Sequence, residues 1–71
     1  MKYIVTEIQL SSQGTISNIT TAYDTKAEAE SHYHTVLAAA ALSELPSHGA
    51  AIIDENCVPI AWEAYTTENR A

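Results

Sequence analysis

A single cysteine, Cys57, leaves this 71-residue chain without an intramolecular disulfide. That count suits a reducing compartment, and the sequence reads as that of a cytoplasmic protein. Cations are nearly as scarce. Lys2, Lys26 and Arg70 stand against nine acidic residues, for a formal charge of −6. Nucleic-acid binding draws most of its affinity from cations that neutralise phosphates, so three scattered ones argue against it. The only glycines, Gly14 and Gly49, are too far apart to build a phosphate-cradling loop. Long apolar runs are missing too: VLAAAAL falls far short of the roughly 20 residues of a membrane helix. The opening MKYIVTEIQL mixes polar and apolar residues and does not read as a secretory leader.

The residues that carry chemistry are present only singly. Cys57 has no basic neighbour in sequence to lower its pKa and make it a nucleophile. Ser11, Ser12 and Ser17 lack the strand-to-helix elbow of a serine hydrolase. Glu7, Asp54, Glu55 and Glu63 read as solvated acids. His32 and His34 are two apart, hence about 200° apart on a helix, and cannot share one metal ion. The sequence therefore points to no catalytic residue, no metal site and no cofactor, and to a protein that is not an enzyme.

What is there is a regular succession of patterns. YIVTEIQL (3–10) is rich in β-branched residues and reads as a strand; SSQG supplies a turn; TISNITTAY reads as a second strand. Tyr3 and Val5 lie opposite Ile4 and Ile8, and Ile16 and Ile19 share a face only across a bulge. Thr25 and Glu28 match the Thr-x-x-Glu capping box, so a helix starts there. It runs to Leu42 or Glu44, because Pro46 disfavours helical geometry at Leu45. HGAAIID is a third strand, ENC a turn and VPIAWEAY a fourth. Pro59 cannot donate to a ladder, which makes the fourth strand an edge. The expectation is an α+β fold in the order ββαββ: a four-stranded, mostly antiparallel sheet with one helix packed on one face. Residues 1–65 form a single domain, and 66–71 a polar tail expected to fray.

On the helix, Ala29, Tyr33, Val36, Leu37 and Ala40 fall on one stripe, which should lie on the sheet. In the fourth strand Val58, Ile60, Trp62 and Ala64 share a face, and the expected packing sets Val58, Ile60 or Trp62 against Tyr33 and Leu37. Beside the buried stripe runs a second flank of Ala27, His34, Ala38, Ala41 and Leu45. Its small residues allow another backbone to approach closely. These five are the expected oligomer interface, with the free edge of a strand as the alternative and a two-fold dimer as the commonest closed form. A domain this small gains from the added buried area. If His48 meets the end of the helix, His34, His48 and Tyr65 form a candidate ligand-binding set.

The opening MKYIVTEIQ, TAYD before the helix, YHTVLAAAA within it and the later HGAAIID together resemble a group of small proteins from gut Firmicutes and their prophages. The resemblance covers nearly the whole chain. It carries no activity, cofactor or functional residue, and implies a mobile-element accessory protein. Such relatives favour a glycine in the last turn, where this chain has DENC, so the hairpin type is open. The functional expectation is a self-associating protein-interaction module acting on a host factor. The alternative is a protein that sequesters a small molecule, such as a nucleotide signal, in a pocket between protomers.

Overall fold

The computed structural model describes residues 1–69. Strands β1 (Tyr3–Leu10) and β2 (Ile16–Tyr23) precede helix α1 (Lys26–Leu42), and β3 (Ser47–Asp54) and β4 (Pro59–Thr66) follow it. The four strands form one antiparallel sheet in the order β2-β1-β3-β4, and the helix crosses one face. This is the expected ββαββ, α+β architecture. Both hairpins keep sequence neighbours adjacent, and the helix carries the chain from the edge strand β2 to the central strand β3. No helix among the described residues is long and apolar enough to cross a membrane.

The helix begins as its sequence dictates. Thr25, in extended conformation, accepts from the Glu28 N–H at 3.2 Å, and its hydroxyl donates to Glu28 Oε1 at 2.9 Å. The glutamate thus accepts from the cap's hydroxyl rather than from its backbone N–H, the donor in the standard box. At the other end Ser43 returns to extended backbone and its N–H closes on the Ala40 carbonyl at 3.2 Å. Ala29, Tyr33, Val36, Leu37 and Ala40 are buried, the stripe expected from the 3.6-residue period.

Under the helix the core is small. Val5 and Ile52 are its only large, fully buried side chains, and Ala29, Ala40 and Ala50 let the helix come close to the sheet. The register fixes which side chains share this face, because cross-strand partners point the same way. Val5 pairs with Ile52, Ile52 with Ala61, and His48 with Tyr65. Ala61 and Tyr65 therefore meet the core, with Tyr3 and Tyr23 at the far end.

That register corrects one expectation. Val58, Ile60 and Trp62 do not pack against Tyr33 and Leu37: all three are exposed, Trp62 at 75%. Trp62 pairs with Ala51, and Ala64 with Gly49, on the side away from the helix. A register shift between Ile52 and Ile53, which leaves Ile60 as the extra residue, sets the phase of β4. β1 and β2 pair without a bulge, and Ile16 and Ile19 accordingly take opposite faces.

The two hairpin turns have the same hydrogen bonds. In the first, the Gly14 N–H donates to the Ser11 carbonyl at 3.0 Å, Ser11 N–H to Thr15 O at 2.9 Å, and Thr15 N–H to Ser11 Oγ at 3.0 Å. In the second, the Cys57 N–H donates to the Asp54 carbonyl at 3.0 Å, Asp54 N–H to Val58 O at 3.0 Å, and Val58 N–H to Asp54 Oδ1 at 3.1 Å. Gly14 has φ 84°, and Cys57 occupies the equivalent left-handed position at φ 65°. DENC thus makes the turn that glycine usually makes, with a side chain where glycine fits better. The start of the polar tail is tied down: the Thr67 N–H meets Pro46 O at 3.1 Å, and Asn69 Nδ2 donates to Ala64 O at 3.1 Å. Arg70 and Ala71 lie outside the described residues.

Candidate functional site

Two places in this frame depart from an ordinary small core. The first lies on the helix side of the sheet. Glu7 continues the Tyr3, Val5 alternation inward, and His48 continues that of Ile52 and Ala50. Across the central β1–β3 ladder they meet diagonally: His48 Nε2 donates to Glu7 Oε2 at 2.6 Å. Gln9, the direct partner of His48, donates its amide to the same oxygen at 3.0 Å. Gln9 Nε2 also lies 3.4 Å from His48 Nε2, but both nitrogens are donors here, so this is a contact and not a bond. The His48 hydrogen bond holds the Glu7 carboxyl below the usual carboxylate range; burial opposes the shift and the Gln9 amide adds to it.

His48 is the one buried polar residue among those described, with its side chain 7% exposed. With Nε2 protonated toward Glu7, Nδ1 is an acceptor; it is buried and has no partner. Two hollows in the surface are lined by other residues.

The second place is the opposite face of the sheet. Read across the strands, its rows are Ala22, Ile4, Ile53, Pro59; Thr20, Thr6, Ala51, Trp62; Asn18, Ile8, Gly49, Ala64; and Ile16, Leu10, Ser47, Thr66. None of these is charged, in a chain that carries a net −6. Ile8, Ile16 and Trp62 are exposed. Between Ile8 and Trp62 the face dips into a hollow of about 260 Å³, floored by Gly49, Ala51 and Ala64. Close packing of β3 on β4 requires Gly49: a Cβ there would lie 2.5 Å from the Glu63 carbonyl oxygen and 2.7 Å from Ala64 Cβ.

The residues singled out from the sequence are distributed as follows. Ala27, His34 and Ala38 are exposed along the helix flank, and Ala41 and Leu45 are half-buried. His34 stacks edge-on against Tyr33, with ring centroids 5.4 Å apart. His48 and Tyr65 are cross-strand partners beneath the helix, and His48 turns to Glu7 rather than to His34. Burial, and then the charge of Glu63 and the nearby Tyr65, push the Tyr33 hydroxyl up from its ordinary pKa. His32 is half-buried, and its Nδ1 lies 2.9 Å from the Tyr23 hydroxyl. Among the described residues no cluster of three or more histidine, cysteine or acidic side chains could hold a metal ion.

Sequence reasoning missed both the Glu7–His48 pair and the neutral face. The signal for the pair was available: counting by twos from Tyr3 and Val5 puts Glu7 inside, where a carboxylate needs a partner. No family model, no curated protein and no solved structure matches the chain.

Proposed function

We propose that this is a non-enzymatic, self-associating protein-interaction module, working in the cytoplasm as an accessory protein of a phage or other mobile element and directed at a host protein. The observation that carries the reading is the uncharged sheet face with Trp62 exposed upon it. Exposed apolar patches on small soluble domains mark interaction sites, and tryptophan is the side chain most enriched where binding energy concentrates. An acidic chain whose four outer rows hold no charge has there a surface for a protein partner and not for a nucleic acid. The Glu7–His48 pair beneath the helix serves structure in this reading.

A photo-reactive amino acid placed at Trp62, with the same group at Glu30 on the exposed side of α1 as a control, tests it in cells. Discrete protein adducts from position 62 and none from position 30 are expected. Equal or no labelling at the two positions would refute the reading. A thermal-shift screen against nucleotides tests the competing small-molecule reading, since a bound ligand raises stability with the logarithm of its concentration.

A further inference from the structure

Resting on the interaction-module reading, we infer that the neutral sheet face is covered by a second copy of this chain. The two sheets pack face to face about a two-fold axis, and each Trp62 seats in the hollow of the other copy.

Charge selects the partner. Two copies each carrying −6 repel through any surface that bears their acids. The four rows facing away from the helix hold no charge, so identical chains can meet there without juxtaposing like charges.

Area permits it. Four strands about 4.8 Å apart, each eight residues long at about 3.3 Å per residue, present a face of roughly 500 Å². Two such faces bury about 1,000 Å² before side-chain relief is counted, the threshold for a specific interface.

Shape makes the contact reciprocal. Trp62 projects beside a hollow floored by Gly49, Ala51 and Ala64, and a two-fold axis places each protrusion over the partner's depression. At about 260 Å³, against about 30 Å³ for a water molecule, the hollow accepts an aromatic ring. The helix flank of Ala38 and Ala41 offers only single methyl groups, and exposed Glu30 on the same helix brings charge close to it.

Trp62 is the chain's only tryptophan, so its fluorescence reports this interface alone. The experiment combines light scattering and Trp62 emission on the purified full chain, from micromolar to millimolar concentration. The expected mass rises from 7.7 kDa toward twice that value, with emission shifting to the blue in step. Trp62→Glu and Ala51→Glu, both on the face turned from the core, should each raise the dimer dissociation constant by at least about 30-fold. Ala38→Glu should leave it unchanged. A monomer at every concentration overturns the inference. So does a dimer that survives both face variants while Trp62 in the parent emits as in water. If the chain is monomeric but cross-linking from position 62 captures a different protein, the second copy is refuted and the interaction module stands. If neither is seen, both fall.

Discussion

Replacing Glu7 and His48 by leucine, singly and together, isolates the pair beneath the helix. Glu7→Leu removes the acceptor of both His48 Nε2–H and the Gln9 amide and strands the imidazole donor in a side chain 7% exposed. An unmade hydrogen bond of this kind costs about 1–3 kcal/mol. A domain of this size draws roughly 3–5 kcal/mol from its core, so the single variant should lose a large share of its stability. His48→Leu should cost less, because Glu7 keeps the Gln9 amide and is less covered than the histidine, at 17% exposure. The double variant puts two apolar side chains beside Ala50 and should return close to the parent, as buried hydrogen-bonded pairs do when both partners are replaced by apolar residues. The expected coupling is about 1–3 kcal/mol. Urea unfolding of the four proteins at neutral pH, with linear extrapolation, measures it. A pH series adds an independent check. Glu7 has a folded pKa below its unfolded value of about 4.3, so its contribution is complete above that pH and is lost as pH falls through the folded value. The parent should weaken across that acidic window more steeply than Glu7→Leu. Strictly additive single variants with parallel pH profiles would show that the two side chains do not depend on each other.

Three further outcomes are expected. Leu37→Ala, in the buried helix stripe, should cost about 2–5 kcal/mol and leave most of the protein unfolded; a variant that melts like the parent would refute the packing. Cys57→Gly should stabilise by about 1 kcal/mol, because φ 65° strains a residue with a side chain; an unchanged or lower melting temperature would count against strain in that turn. Gly49→Ala should destabilise by about 1–3 kcal/mol, since the new methyl meets β4 backbone that cannot move aside, and circular dichroism melts would show it.

Much of the fold is legible in the residues. Alternation marks the strands, Thr25 and Glu28 mark the helix start, Pro46 marks the limit of the helix, and Pro59 marks an edge strand. The helix stripe follows from period alone. What does not follow is the phase of β4. Val58, Ile60 and Trp62 are its bulkiest apolar residues, and hydrophobicity assigns them to the core. The helix instead covers Ala61 and Tyr65, whose smaller aliphatic surface lets Ala29 and Ala40 bring α1 close. A strand with two apolar faces carries no mark saying which one its own helix covers. For the same reason the neutral sheet face, the proposed working surface, is invisible until the register is known. The Glu7–His48 pair needs the β1–β3 register as well, because no spacing in the chain links positions so far apart.

The two hairpins are local and close quickly, each on a turn of its own, whereas the β1–β3 seam joins Tyr3 to Asp54 and Leu10 to Ser47 and has the greater loop entropy to overcome. Correct assembly therefore depends on how that seam aligns. Slipping it by one residue turns the faces over and exposes Val5 and Ile52. Slipping it by two restores the faces. In one direction it carries His48 about 7 Å further along the ladder from Glu7 and leaves each without its partner; in the other it sets the two directly opposite and takes His48 from Gln9. The polar pair thus penalises a slip of the two hairpins in one direction, and the packing of Val5 beside Ile52 is left to penalise the other.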